Sequence, residues 1–361
     1  MAHDLGPPLV SRDCWSVDVA IIGATGSCGR QVAAQLLDRR VLSDTGMLFL
    51  IGHSGGAHES ELWGLRADLL DAFGDSAPQI EVGTDVGASS AQLVVMMAGA
   101  TVTRDTTNRA ALAESNRRIF DEAAADVGRL GDQVTVVVQS NPVELAIERF
   151  AKHIPRHRLI GAAAWSDSLR LRRELAAELG LRRPCVHAEV LGQHGDHLVP
   201  LWSKISARNV PAARLREVIA RSRAGRKLED LPAEVRSVRT ETLRLVNDGD
   251  VEGAYRFVKG QPADLRAAVK PFFTHFTAGR TTELATAHAV VDIMEFILGG
   301  HRSVVPAQVM VEDEIPGLSG PIAVPVLLDQ TGWSEVVVPE FAKDEFAALR
   351  QAAAAITEAN R

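Results

Sequence analysis

Residues 17–30 read Val-Asp-Val-Ala-Ile-Ile-Gly-Ala-Thr-Gly-Ser-Cys-Gly-Arg, a mostly apolar run followed by three evenly spaced glycines. A largely apolar run over 17–22 predicts a strand, and the spacing of Val32, Leu36 and Leu37 predicts a helix directly after the glycines. Glycines there permit a sharp turn, a close backbone approach to a pyrophosphate, and a helix N-terminus with N–H groups open to its charge. The predicted dinucleotide contacts in this turn are Gly23, Thr25, Gly26, Ser27, Cys28 and Gly29. Because the spacing is GxxGxxG rather than the commoner GxGxxG, an ordinary tight turn is the alternative for this motif alone.

The composition is that of an ordinary globular protein. With 361 residues, of which 46% are hydrophobic, the chain can bury a large core and divide into about two lobes. Its formal net charge is -7 and its basic residues are spread along the chain, which argues against a nucleic-acid surface. Small anions remain as charged partners.

Cysteine usage and the N-terminus favour a cytoplasmic protein. Cys14, Cys28 and Cys185 have neither CxxC spacing nor a paired framework, so we expect no disulfide, no structural zinc and no other metal site. No apolar run reaches the roughly 18 residues of a membrane span, and Pro7-Pro8 stands where a signal peptide would be apolar. We therefore expect no membrane association.

Strands and helices alternate through the first half of the chain, which predicts an α/β fold with a parallel sheet covered on both faces. Strands are expected at 17–22, 47–51, 93–98, 134–138, 159–164 and 186–191, then at 303–311, 322–328 and 334–338 in an antiparallel sheet. Helices are expected at 30–40, up to about 127, and at 167–179, 211–224, 229–246, 280–298 and 340–359. These elements divide into a disordered lead-in (1–14), a dinucleotide-binding domain (15–160) and a substrate domain (161–361).

Four segments follow the predicted parallel strands and should meet at one edge of the sheet. They are Gly23, Gly52, the polar segment 99–109 and Asn141. Ligands of such sheets bind at the carboxyl ends of the strands, so this edge is the predicted site. The segment 99–109 is placed to act as a mobile lid.

The end of the second strand bears on the choice of nicotinamide cofactor. An acid there usually binds the adenosine ribose hydroxyls and repels a 2'-phosphate. Here the loop reads Gly52-His53-Ser54-Gly55-Gly56, and no acid precedes Glu59. The loop either accepts the phosphate of NADP, with Gly52, His53 and Ser54 as contacts, or is merely flexible; NADP and NAD both remain open, with NADP favoured.

From about residue 17 to 340 the chain resembles the lactate and malate dehydrogenases. Five motifs occur in that family's order and approximate spacing: Gly23-Ala24-Thr25-Gly26-Ser27-Cys28-Gly29; Ala98-Gly99-Ala100 with Arg109 ahead of a helix; Ser140-Asn141-Pro142; Asp167-Ser168-Leu169-Arg170; and Gly192-Gln193-His194-Gly195-Asp196. The resemblance implies a Rossmann doubly wound sheet followed by an α+β substrate domain, and a homodimer or homotetramer. It also implies hydride transfer between a nicotinamide and a 2-oxo or 2-hydroxy acid, with cofactor contacts at Ala98, Gly99 and Asn141 and a cis bond before Pro142.

Ketone reduction requires the residue types that these motifs contain. A proton donor that titrates near neutrality must face the carbonyl, and His194 is the candidate. The resemblance assigns Asp167 the part of orienting the imidazole. Arg170 could bind the substrate carboxylate through two parallel hydrogen bonds, and Arg109 would polarise the carbonyl when the lid closes. Asn141 would hold the cofactor side or the substrate oxygen.

Departures from the family bear on the substrate. Thr103 stands where malate dehydrogenases carry the arginine that binds a second carboxylate. Arg280 lies in the loop that borders the substrate opposite the lid and could supply a displaced positive charge; its alternative is a helix-terminal arginine that points to solvent. Residues 261–276 resemble an insertion of unusual composition.

These observations predict a dehydrogenase acting on a 2-oxo acid with a second anionic group. An ordinary malate or lactate dehydrogenase is one alternative. A non-catalytic nucleotide-binding protein on the same fold is another, although no catalytic residue is visibly lost. A nicotinamide-dependent glycosidase would require cysteine and histidine metal ligands that the sequence does not place.

Overall fold

The computed structural model describes residues 16–53, 55–100, 109–279 and 281–361. The lead-in 1–14 and three predicted contacts, Ser54, Thr103 and Arg280, lie outside these residues. The side chain of Arg109 is also outside the described part, although its backbone begins a helix.

Thirteen strands and eleven α-helices are formed by the described residues. The strands are β1 Val19–Ile22, β2 Met47–Ile51, β3 Gln79–Gly83, β4 Leu93–Met96, β5 Thr135–Val138, β6 Leu159–Gly161, β7 Val186–His187, β8 Val190–Gly192, β9 Leu198–Pro200, β10 Ser206–Ala207, β11 Ser303–Glu312, β12 Ser319–Asp329 and β13 Gly332–Val336. The helices are α1 Ser27–Asp38, α2 Gly56–Phe73, α3 Arg109–Gly128, α4 Val143–Phe150, α5 Ala163–Leu179, α6 Ala212–Arg223, α7 Leu231–Asn247, α8 Val251–Lys259, α9 Ala263–Ala278, α10 Glu283–Leu298 and α11 Lys343–Asn360.

Strands β1 to β6 form the predicted parallel sheet in the order β3-β2-β1-β4-β5-β6. This is the order of the doubly wound dinucleotide-binding fold. Along β1, Val19 and Ile21 pack into one apolar cluster, and Ala20 and Ile22 pack into a second cluster on the opposite face. Because successive side chains of a strand point to opposite faces, an unbroken apolar run is required where both faces are covered.

The antiparallel strands predicted near the C-terminus continue this sheet and do not form a separate one. β11 pairs with β12 along its whole length, and Gln308 of β11 also pairs with Gly161 of β6. Strands β8 and β9 extend the sheet beyond β12. One continuous sheet therefore joins the glycine turn to the segment that carries His194.

The predicted strand 186–191 is wrong as a single element, because it divides into β7 and β8. Side chains of α5 bind the backbone between them. Arg172 Nε donates to the carbonyl of Ala188 at 2.8 Å, and Ser168 Oγ accepts from the amide of Val190 at 2.9 Å. Those backbone groups are thus satisfied by a helix, and β7 pairs with β10 in a small second sheet.

Other elements differ from the sequence expectations in extent. Strand β6 ends at Gly161 and α5 begins at Ala163, so the predicted strand 159–164 was too long and the predicted helix at 167 began too late. Several elements were not predicted: helices α2, α4 and α8 and strands β3, β9 and β10. The segment 261–276 falls largely within α9, which packs against α5 and α7. None of the helices in the described ranges is long and apolar enough to span a bilayer.

Candidate functional site

The glycine turn places β1 against the end of β4 so closely that side chains are excluded. Gly23 adopts a φ of 83°, and a Cβ added to it would lie 2.7 Å from the backbone nitrogen of Ala98. A Cβ on Gly29 would overlap the carbonyl oxygen of Gly23. Both positions therefore require glycine, because the overlapping atoms are backbone atoms that cannot turn away.

The N-terminus of α1 leaves backbone donors free of side-chain competition. Gly26 precedes the helix, no side chain caps it, and its first turn carries no acid. The donor set is therefore amide N–H groups at the positive end of a helix, which suits the two negative charges of a pyrophosphate. The residues present fit a dinucleotide.

Cys28 lies in this turn as a neutral thiol. Burial and, to a smaller extent, the nearby carboxylate of Glu283 together raise its pKa to about 11, against a hydrogen bond with Ser27 that lowers it. Glu283 is the first residue of α10, so the start of α10 lies beside the glycine turn. The thiol of Cys28 is consequently uncharged at neutral pH.

A buried hydrogen-bond network fixes the ends of β4 and β5. Ser140 Oγ donates to the carbonyl of Ala98 at 2.6 Å. Asn116 of α3 is fully buried; its Oδ1 accepts from the amide of Ala100 at 2.6 Å, and its Nδ2 donates to the carbonyl of Asn141 at 2.7 Å. The bond from Asn141 to Pro142 is cis, as the resemblance suggested. Asn116 was missed by the sequence analysis, and it holds the entrance of the predicted lid against Asn141.

His194, Asp167 and Arg170 meet in the structure. His194 Nδ1 lies 2.7 Å from Asp167 Oδ2, and Arg170 Nη1 donates to the other carboxylate oxygen, Oδ1, at 2.8 Å. Asp167 and Arg170 are three residues apart on α5 and so share a face. The side chains of all three residues are at most 21% exposed, which distinguishes this group from a solvated surface ion pair.

The charges of this group stabilise one another against burial. Burial alone would lower the pKa of the His194 imidazolium, but the carboxylate of Asp167 more than offsets it, so the pKa is raised. Glu144 adds to that rise and Arg170 opposes it. For Asp167, burial would raise the pKa, yet His194 and Arg170 hold it below its usual range. The imidazole is therefore poised to carry a proton at Nε2 while Nδ1 is held by an ionised carboxylate.

Two neighbours of this group were missed by the sequence analysis. Thr282 Oγ1 accepts from Arg170 Nη2 at 3.1 Å, and in the sequence it follows Arg280 by two residues. Glu144 of α4 accepts a hydrogen bond from the backbone amide of His194 at 2.8 Å. Its sequence position, an acid within the apolar run of α4, was the available indication.

No acid occurs between the end of β2 and Glu59 of α2. His53 is exposed, and its ring centroid lies 6.4 Å from that of His58 in the first turn of α2. A Cβ added to Gly52 would lie 3.0 Å from Leu62 Cδ1. Any side chain at position 52 must therefore displace Leu62.

Comparisons with known proteins agree with this geometry. Residues 17–161 match the family model described as lactate/malate dehydrogenase, NAD binding domain. The L-lactate dehydrogenase of Oceanobacillus iheyensis is 26% identical over 334 residues, which cover 91% of this chain and 90% of that protein. The L-2-hydroxycarboxylate dehydrogenase (NAD(P)(+)) of Methanocaldococcus jannaschii is 24% identical over 344 residues, covering 93% and 95%. The crystal structure of the lactate dehydrogenase from Cryptosporidium parvum, complexed with lactic acid and nicotinamide adenine dinucleotide, superposes with a TM-score of 0.74 at 19% identity, covering 96% of this chain and 97% of that one.

Proposed function

Because residues 17–161 match the NAD-binding domain of the lactate/malate dehydrogenases and nearly the whole chain is similar to members of that group, we propose that this protein is a dehydrogenase that transfers a hydride between a nicotinamide cofactor and a 2-oxo or 2-hydroxy acid, with His194 as the proton donor and acceptor. The observation that carries the assignment is the buried contact of 2.7 Å between His194 Nδ1 and Asp167. A histidine held in this way presents its second nitrogen to a reacting oxygen and changes charge near neutral pH.

Each residue of the group has a role that follows from its position. In reduction, the nicotinamide supplies the hydride when it is bound. The imidazolium of His194 gives its proton from Nε2 to the carbonyl oxygen, and Asp167 stabilises that imidazolium beforehand. Arg170 uses one donor for Asp167 and one for Thr282, which leaves donors for the substrate carboxylate. By the family resemblance, Arg109 polarises the carbonyl as the lid closes, and Asn141 orients the substrate oxygen or the cofactor.

The direct test is a screen of 2-oxo acids with NADH and NADPH, followed by absorbance. His194→Ala should lower turnover by about 100-fold to 10,000-fold while cofactor binding persists. His157→Ala, which alters an exposed histidine outside the group, is the matched control. If His194→Ala retains the turnover of the wild type, the assignment is refuted. A protein that binds the cofactor but reduces no substrate would support the non-catalytic alternative.

We further propose that the loop after β2 accepts NADP(H) at least as well as NAD(H). Support comes from the missing acid at Gly52 and from the two imidazoles of His53 and His58 beside it. Gly52→Asp should shift preference toward NADH by placing a carboxylate against the 2'-phosphate. Gly52→Asn is the matched control, because it causes the same displacement of Leu62 without the charge. A kcat/KM for NADH tenfold or more above that for NADPH in the wild type would contradict the proposal.

For the substrate, we propose a 2-oxo acid with a second anionic group, either carboxylate, phosphonate or sulfonate. The support is a balance of charge in the sequence, since Thr103 replaces one family arginine and Arg280 adds another. An unpaired charge in a closed, dry site costs several kcal/mol, so the selectivity should be large. Arg280→Gln should lower kcat/KM for the anionic substrate and spare monocarboxylic 2-oxo acids. A wild-type preference for pyruvate, or an equal effect of Arg280→Gln on both classes, would favour an ordinary lactate dehydrogenase instead.

The proposal extends to a cytoplasmic homodimer or homotetramer. Trp63 of α2 and Leu284 of α10 are 53% and 67% exposed in the isolated chain, and large apolar side chains on helices are commonly covered by subunit contacts. Light scattering of the purified protein would detect the assembly. A monomer at micromolar concentration would contradict it.

A further inference from the structure

Glu144 is a buried carboxylate bound to the main chain of the residue proposed to move the proton. It lies in the first turn of α4 and is 3% exposed. Its Oε1 accepts the backbone N–H of His194 at 2.8 Å. The hydrogen bond therefore fixes the loop at His194 itself rather than at a neighbour.

Gln308 connects the same carboxylate to the helix that carries Asp167. It is fully buried in β11, and its Nε2 lies 3.4 Å from Glu144 Oε1. Its own Oε1 accepts from the backbone amide of Ala164 at 3.2 Å, one turn before Asp167 on α5. The pair formed by Glu144 and Gln308 thus binds the backbone of His194 and the first turn of the helix that carries Asp167.

The local sequence leaves space for this pair. A Cβ added to Gly161, opposite Gln308 on β6, would lie 2.7 Å from Gln308 Cβ. A larger residue at 161 would displace the glutamine. Burying an amide and a carboxylate is costly unless both are hydrogen-bonded, so packing alone would favour an apolar pair at these positions.

We propose that Glu144 and Gln308 are positioning residues that hold the His194 loop and the first turn of α5 in register for proton transfer. Neither residue is placed against the substrate; they act through His194 and Asp167. The inference rests on the proposed function, because it presupposes that His194 moves the proton.

The electrostatic part of the role is a second negative charge facing the imidazole. Asp167 and Arg170 face His194 from α5, Glu144 faces it from α4, and Gln308 of β11 is uncharged. Burial raises the pKa of Glu144, while its hydrogen bond from the amide of His194 and the charge of the imidazolium oppose that rise. Glu144 therefore adds to the stabilisation of the protonated imidazole, from a different helix than Asp167.

Two substitutions separate the hydrogen bond from the charge. Glu144→Leu removes both and should lower kcat by about 10- to 100-fold, the range for a lost hydrogen bond to a charged group, with little change in cofactor Kd. Glu144→Gln keeps a carbonyl oxygen for the amide of His194 and should retain most of kcat at its pH optimum. The pKa of His194 in that variant should fall by about one unit.

The pKa is best read in the cofactor-free protein from the imidazole 15N resonances, with the His194 signal identified by its loss in His194→Ala. Glu345→Gln is the matched control. Glu345 is a carboxylate as buried as Glu144, and it accepts the amide of Ser203 at 2.8 Å away from the His194 group. The control should leave kcat and the His194 titration unchanged. Gln308→Leu should lower kcat, and the double variant with Glu144→Leu should lose less than the product of the two single effects, because the residues act as one unit.

An unchanged His194 titration and an unchanged kcat in Glu144→Gln and Glu144→Leu would overturn the inference. Loss of folded Glu144→Gln protein while Glu345→Gln folds would also overturn it, since Glu144 would then be a structural residue. If Glu144→Leu alone fails to fold, the glutamine variant and its titration decide. Inactive His194→Ala with unaffected Glu144 variants refutes this inference only, whereas fully active His194→Ala refutes the proposed function.

Discussion

Replacing Asp167 with asparagine removes the charge that stabilises the His194 imidazolium and keeps the size of the side chain. In the wild type, His194 Nδ1 lies 2.7 Å from Asp167 Oδ2, and the pair is nearly enclosed by protein. Burial opposes the charged imidazole, and the Asp167 carboxylate is the largest influence that offsets it. Without the carboxylate, burial should prevail and the pKa of His194 should fall.

The magnitude follows from the distance and the burial. An opposite charge within about 4–6 Å shifts a pKa by about 1–3 units, and each unit corresponds to about 1.36 kcal/mol. Once the pKa lies below the assay pH, each further unit lowers the protonated fraction tenfold. Reduction of a 2-oxo acid near pH 7.5 should therefore slow by about 10- to 1,000-fold in Asp167→Asn.

The two reaction directions test this pKa shift separately, because they require opposite protonation states of His194. Reduction needs the imidazolium, so the alkaline limb of its pH profile should move to lower pH in Asp167→Asn. Oxidation of the 2-hydroxy acid needs the neutral imidazole, so its acidic limb should move to lower pH as well. The assay is kcat/KM from nicotinamide absorbance in both directions across pH 5–9, a range set by the ordinary pKa of histidine at about 6.5.

Asp292→Asn provides a comparison variant. Asp292 also holds an arginine and a ring nitrogen, Arg39 Nη1 at 2.8 Å and Trp165 Nε1 at 3.1 Å, but it is not bonded to His194. Asp292→Asn should leave both pH limbs in place. If Asp167→Asn lowers the rate without moving either limb, the carboxylate acts on geometry alone and the electrostatic argument is refuted.

Three further predictions concern stability and cofactor binding. The Asp167 carboxyl has a lowered pKa in the folded protein, so the stability that it contributes is present above its unfolded pKa of about 3.9 and is lost as pH falls through the folded value. In urea unfolding, Asp167→Asn should therefore lose less stability than the wild type over that acid range, and equal losses would contradict this. Gly29→Ala should weaken NADH binding, measured by fluorescence, because the added Cβ would overlap the carbonyl oxygen of Gly23. Gly64→Ala in helix α2 is the control: its Cβ would meet no atom within 4 Å, so this variant should bind NADH normally and gain about 0.4–1 kcal/mol in unfolding free energy. Asn116→Leu should lose about 1–3 kcal/mol of unfolding free energy for each buried backbone group left unpaired, and an unchanged Tm would show that water replaces the side chain.

The glycine turn and the buried strands could be predicted because their evidence is contiguous in the sequence. Strand β2 has the predicted bounds, and β4 and β5 lie within the predicted ranges. Strand β3 was missed because it is an edge strand in which Ile80 alone is fully buried, so it has no continuous apolar run. Helix α2 was missed although Leu62, Leu65 and Leu69 are buried at helical spacing, because a large apolar residue, Trp63, lies on its exposed face and weakens the periodic pattern.

For the candidate site, a different factor limited what could be predicted from the sequence. The family motifs predicted roles for His194, Asp167 and Arg170, and the structure brings these three side chains into contact. Thr282 could not be assigned from the sequence alone, because its contact with Arg170 spans 112 residues. Contacts of that range depend on the packing of α10 against α5, which no local pattern encodes.

Glu144 and Gln308 share a property that the sequence does reveal. Both are polar residues inside largely apolar stretches that the structure buries, and both bind backbone groups on another element, as Asn116 does from the charged helix α3. A buried amide or carboxylate is costly unless it is hydrogen-bonded, so its presence in an apolar run implies a partner elsewhere in the fold. The sequence can therefore mark the residues that join elements around a site, while only the structure identifies what they bind. In this chain their partners are the backbone of His194, of Ala164 near Asp167, and of the lid entrance at Ala100, which places the buried polar residues around the proposed proton-transfer centre.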